Sequence, residues 1–182
     1  MFIRRLAPFM CAALVLALAA CGGGGGGGGA NHPLGAEAVV EHTELGGAKA
    51  KTTLGITVLR VRKGTQQELK DAGFSLDPSE QSTTPYYVDA RFTNKGSNAI
   101  ERSLSLSLED QDGNLISSTV IIELGGTPFQ KCRKNTEGEL APGKSFQTCT
   151  LFLVPKGREP SKVSFLPNDP GNETEFVYWD VA

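Results

Sequence analysis

Beyond Thr53 this chain has no histidine. That absence removes the commonest general base, the usual nucleophile–histidine triads and most zinc sites from the larger part of the sequence. Concentrated positive charge is missing too. Eighteen basic side chains face 20 acidic ones, and the densest basic cluster, Lys131, Arg133 and Lys134, is short. A nucleic-acid partner needs a basic stripe, so none is expected. The long apolar run, Leu6 to Leu18, has about 13 residues, too few to cross ~30 Å of hydrocarbon as a permanent helix. No two cysteines stand in the Cys-x-x-Cys frame of redox pairs. Aromatic residues make up only 7% of the chain, with one tryptophan, so any aromatic contact surface must be drawn from a few positions.

What is present begins with an export signal. Arg4 and Arg5 precede the apolar stretch, and small residues close it. Leu18-Ala19-Ala20-Cys21 resembles the lipobox of bacterial lipoproteins. The resemblance implies that residues 1–20 are removed and that the Cys21 sulfur carries a diacylglyceryl group at the new N-terminus. Cys11 follows Phe9 and Met10 rather than small residues, so it is a poor rival. Two acyl chains suffice for lasting attachment where one is marginal. The expected location is the extracytoplasmic face of a cell membrane. Cleavage takes two of the 18 basic residues and no acid, leaving 16 against 20 and a net charge of −4, suited to a soluble domain.

Gly22 to Gly29 is an unbroken glycine run, which has no side chain to bury. The stretch to Thr52 is poor in large apolar residues and carries Pro33, Gly35, Gly46 and Gly47. Residues 21–53 therefore read as the lipidated cysteine and a flexible tether, with ends about 30 Å apart on average. His32 and His42 fall here and read as solvated linker residues. About 130 residues follow, 54–182, enough for one domain with a real core.

In that domain apolar residues recur with period two. Leu104, Leu106 and Leu108 alternate with serines, and Val88, Ala90 and Phe92 alternate with Tyr87, Asp89, Arg91 and Thr93. Ile56 and Val58 share a face while Leu59 and Val61 lie on the opposite one, which predicts either a bulge near Val58 or a strand that crosses between two sheets. Further strands are expected over 115–122, 145–154, 162–166 and 176–181. Asn94-Lys95-Gly96, Asp112-Gly113-Asn114, Gly125-Gly126-Thr127-Pro128, Ala141-Pro142-Gly143 and residues 167–171 supply turns. About seven short strands describe an all-β sandwich. Thr65-Gln66-Gln67-Glu68 has the spacing of a capping box, with Gly73 placed to end a two-turn helix.

Cys132 and Cys149 remain once Cys21 is lipidated. Outside the cytoplasm two such thiols usually pair. Closing their loop of 18 residues, counting both ends, contributes about 3 kcal/mol in the chain-entropy model. The acidic run Glu109-Asp110-Gln111-Asp112-Gly113 lacks the spacing of a calcium loop and reads as a hairpin turn. Asn172-Glu173-Thr174 fits a glycosylation sequon, which usually means nothing in a bacterium. Neither a cofactor nor a metal is expected, and no catalytic residue stands out. The candidates for a binding surface are Tyr87, Phe129, Tyr178 and Trp179, with Tyr87 and one of the last pair expected to be partly exposed.

Several segments carry a further likeness. Gly64-Thr65 and the capped helix, then Thr84 to Asn94, then Asp112-Gly113-Asn114-Leu115-Ile116, resemble small lipoproteins of actinobacteria. So do Phe129 to Cys132, Pro142-Gly143, and Thr148-Cys149-Thr150 running to Val154-Pro155. The resemblance covers most of 54–182. It implies an immunoglobulin-like β-sandwich, related in form to the telokin-like domains of secreted mycobacterial antigens. It supports the Cys132–Cys149 bridge and brings no catalytic residues. The expected activity is binding of a protein or an envelope component. The alternatives are a carboxylate-dependent envelope hydrolase, needing two convergent acids in a cleft, and a carrier of a small apolar ligand, needing a cavity of several hundred Å3.

Overall fold

The computed structural model describes residues 31–44, 50–119, 129–168 and 175–181. Cys21, the glycine run, the 125–128 turn and Asn172 lie outside them. Eleven strands and one α-helix follow in chain order among the described residues. They are β1 (Asn31–Pro33), β2 (Glu37–Thr43), β3 (Lys51–Lys63), α1 (Gln66–Asp71), β4 (Thr83–Asn94), β5 (Ile100–Glu101), β6 (Leu106–Asp110), β7 (Leu115–Ile116), β8 (Glu139–Leu140), β9 (Ser145–Pro155), β10 (Pro160–Phe165) and β11 (Val177–Asp180). One sheet has the order β1-β11-β10-β6-β7 and the other β2-β3-β4-β9, with a separate ladder of β5 and β8. Alternation fixes which faces meet. Ile56 and Val58 of β3, Val88, Ala90 and Phe92 of β4, and Phe152 of β9 pack on Leu108, Val163, Phe165 and Trp179 of the opposite sheet. Each buried phenylalanine there contributes about 1.5–3 kcal/mol over an exposed one. Phe92 stacks on Phe146 at 5.4 Å and tilts against Phe165 at 6.0 Å. The protein is thus the all-β sandwich that the period-two pattern predicts.

The phase change in β3 has the first of its two expected causes, a bulge rather than a crossing between sheets. Its register with β4 slips between Val58 and Arg60, so one residue is left over and Val61 returns to the core side. The capping box is also present: Thr65 accepts from the Glu68 N–H at 3.2 Å, and the Glu68 carboxylate takes the Thr65 N–H at 3.1 Å. Gly73 follows at φ +86°, a conformation that costs side-chain-bearing residues.

Two sequence expectations need correction. Residues 31–44 are not tether. β2 pairs with β3 from Glu37–Thr57 to Thr43–Lys51, and β1 pairs in parallel with β11. Both are edge strands, and an edge strand with one wet face needs few apolar residues: Ala38 is buried and Val40 packs on the core. For the same reason neither histidine is a solvated linker residue. His42 is buried, with Nδ1 2.6 Å from the Pro167 carbonyl oxygen and its ring 5.8 Å from Phe165. His32 lies 5.9 Å from Trp179. The second correction concerns 115–122, where β7 ends at Ile116. Thr119 then forms a single bridge to Leu151 of β9, crossing to the other sheet's edge, and 120–122 lie outside the described residues.

Candidate functional site

Pairing places the outward side chains of the four-stranded sheet in rows. Val39, Gly55, Thr93 and Ser145 make one, and Glu37, Thr57, Arg91 and Gln147 the next. Arg60, Asp89 and Cys149 follow, then Arg62, Tyr87 and Leu151. The last rows are covered. Leu69 of α1 and Phe129 and Cys132 of the loop before β8 bury Tyr87, Leu151 and Cys149 in a second apolar cluster. Cys132 and Cys149 are bonded, with Cα atoms 5.0 Å apart. The bridge holds the loop against β9, helped by a hydrogen bond from the Cys149 N–H to the Arg133 carbonyl at 3.1 Å.

This cover overturns most of the aromatic surface. Tyr87 is 1% exposed and Phe129 5%, because the helix and loop lie over them. Phe129 packs at 5.3 Å on Phe74 and at 5.7 Å on Tyr87. Burial pushes the Tyr87 phenol well above its usual range, and the neighbouring Glu68 carboxylate, which accepts its hydroxyl at 3.2 Å, adds to that. Trp179 is fully buried in the main core and donates Nε1–H to the Ala36 carbonyl at 3.0 Å. Only Tyr178 is half-buried, on the outer face of the other sheet, under the Lys162 ammonium at 5.1 Å. The four aromatics therefore do not form one surface.

What the fold does assemble around the bridge is positive charge. Arg62 donates Nη2–H to the Lys131 carbonyl at 2.8 Å and lies 3.9 Å from Cys149 Sγ. Arg60 and Arg62 share Asp89, with Nε–Oδ2 distances of 2.5 and 3.0 Å. Lys131 reaches Glu68 at 2.7 Å, and that contact, ahead of the Thr65 N–H, holds the Glu68 carboxyl below its usual range. Arg91, Arg133 and Lys134 stand exposed beside them. Six cations thus adjoin two acids. Sequence reading missed this because β3, β4 and the 131–134 loop are far apart along the chain, so the run looked short.

Alongside β9 the sandwich opens in a cleft of about 150 Å3. β9's inward stripe reads Phe146, Thr148, Thr150, Phe152, so two hydroxyls stand where the core needs apolar side chains. Ser103, Ser105, Ser118, Thr119 and Thr136 add five more, Leu104, Leu151 and Cys149 supply the apolar part, and Lys134 is at the rim. No carboxylate or histidine is among the lining residues. Thr148 Oγ1 accepts from the Asn135 N–H at 3.1 Å, which fixes the loop against the cleft. The two inward threonines were the signal available in the sequence.

The acidic run is a turn anchored by Asp110. Its buried carboxylate accepts from the N–H groups of Asp112 and Asn114 at 2.9 and 2.8 Å and pairs with Arg158 at 2.6 Å. Burial alone pushes this carboxyl up; the Asn114 N–H, Arg158 and the remaining donors outweigh it and hold it at about 2. Among the described residues no group of three or more His, Cys, Asp or Glu side chains is arranged to hold a metal ion. No helix among them is long and apolar enough to cross a membrane.

No family model matches this chain, and no curated protein matches it in sequence. Two solved structures share its architecture. A secreted protein of Mycobacterium tuberculosis, MPT63, superposes with a TM-score of 0.54 at 14% identity, covering 83% of this chain and 96% of its own. The yjhA protein of Bacillus subtilis gives 0.50 at 18% identity, covering 82% and 99%. At such identities the likeness is one of fold.

Proposed function

We propose that this chain is a non-enzymatic, extracytoplasmic binding module, held to the membrane by a lipid on Cys21, whose ligand sits in the hydroxyl-lined cleft beside β9. The cleft carries the reading. Seven hydroxyls and one rim ammonium suit a small polar ligand with hydroxyl or oxyanion groups, and nothing in the lining would abstract a proton from it. An apolar cargo is a poorer fit, since its carrier needs a cavity of several hundred Å3 and this cleft holds about 150 Å3. Export is supported by the signal-like N-terminus and by a fold shared with a secreted protein.

Two measurements test the two halves separately. Metabolic labelling with a fatty-acid analogue should mark the wild-type chain and not Cys21→Ser; label on the variant ends the anchor reading. Glycerol 3-phosphate and N-acetylglucosamine, titrated into the mature protein, should shift backbone resonances at 103–105 and 148–151. Thr150→Ile, which fills the cleft, should abolish those shifts at unchanged Tm. Shifts that survive in the variant, or that arise only elsewhere, end the cleft reading.

A further inference from the structure

We infer that the cationic face around the Cys132–Cys149 bridge docks onto a bilayer surface rich in anionic phospholipid. Six of the 16 cations of the mature chain meet there (Arg60, Arg62, Arg91, Lys131, Arg133 and Lys134), with Asp89 and Glu68 paired among them, while Glu37, in the row of Arg91, is matched by Lys95 at 2.6 Å. The rest of the surface therefore holds the acidic excess. A molecule so polarised turns its basic face toward a negative plane and its other sides away, although its overall charge is negative. The cations are also accessible. The Arg60 side chain is 66% exposed, Lys131 is 56% exposed, and Arg91, Arg133 and Lys134 are exposed.

Chain length decides between the bilayer and a more distant polyanion. Nine residues separate Cys21 from Asn31, where β1 begins. In any conformation the ten steps from Cys21 to Asn31 span at most ~36 Å. A domain of about 130 residues is itself roughly 36 Å across. A lipid on Cys21 would hold the domain within its own diameter of the headgroups, so slack in those nine residues lets the basic face come within the ~8–10 Å over which surface charge acts. This last step rests on the Cys21 anchor of the proposed function; the charge asymmetry does not.

The test uses the mature chain with Cys21→Ser, so that binding owes nothing to the acyl chains. It should co-sediment with phosphatidylglycerol vesicles and not with phosphatidylcholine vesicles, and 0.5 M salt should release it. Each Lys or Arg near such a surface contributes about fivefold in partition. Arg91→Ala, Arg133→Ala and Lys134→Ala together should therefore weaken binding on the order of 100-fold. Lys162→Ala, on the outer face of the other sheet, should change it less than twofold. Equal binding to both vesicle types, or equal losses from the two variants, overturns the assignment. Binding to soluble polyphosphate without binding to vesicles overturns the choice of a lipid surface. None of these outcomes depends on acylation, which the labelling experiment reads by itself.

Discussion

Removing the Cys132–Cys149 bridge should cost this protein a large share of its stability, and the amount follows from the fold. The bond closes an 18-residue loop, counting both ends. Releasing that loop in the unfolded chain is worth about 3 kcal/mol on the chain-entropy model. The native side adds nothing large, because Leu69, Tyr87, Phe129 and Leu151 can keep packing around two alanines. For a domain of this size about 3 kcal/mol lowers Tm by roughly 10 °C. Trp179 is a clean reporter: it lies in the main core, in a different cluster from the bridge. Its fluorescence transition in Cys132→Ala/Cys149→Ala should shift by that amount, and reductant should shift the wild type equally. A double variant melting within 2 °C of the oxidised wild type would show that the loop is held without the bond.

His42 makes acid destabilising. Burial lowers its pKa below the ordinary value near 6.5, with the Pro167 carbonyl and Glu44 opposing only in part. The unfolded chain then takes up the proton first, so stability is full above pH ~6.5 and declines as pH falls from there toward the folded value. The urea midpoint should drop between pH 7.5 and 5.5, and His42→Gln should flatten that limb; an unchanged slope in the variant would clear His42. Ala38→Asp buries a carboxylate against the core and should destabilise by roughly 3 kcal/mol in urea unfolding, whereas a silent change would return β2 to the tether. Thr65→Ala removes one half of the capping box and should cost about 1 kcal/mol in the same assay. Deleting 22–29 should leave Tm unchanged.

Strand positions were legible where alternation was strong. Val88, Ala90 and Phe92 declared β4, and the change of phase after Val58 left a bulge or a crossing strand, of which the β3–β4 register contains the bulge. The capping box was legible because it is a four-residue, purely local device. β2 was not, because Glu37-Ala38-Val39-Val40-Glu41-His42-Thr43 has only weak apolar content, and its edge position is a property of the whole sheet. The exposure of Tyr87 was misjudged for a related reason. Alternation tells which face a residue occupies; it does not tell that a helix and a loop will lie over that face. The cationic face and the cleft both join segments far apart in the chain, and no local pattern records such meetings.

The parallel pairing of β1 with β11 sets an order of events. The first strand described here finds its neighbour only when almost the whole polypeptide is available, and β11 reaches the sheet through β10. A chain threaded through a translocon N-terminus first would present Asn31–Pro33 early and complete that sheet last. Maturation would then wait for Val177–Asp180 to emerge, and slow closure is what such long-range connectivity entails. Removing β11 should accordingly leave an unfinished product, open to proteolysis, rather than a smaller working one.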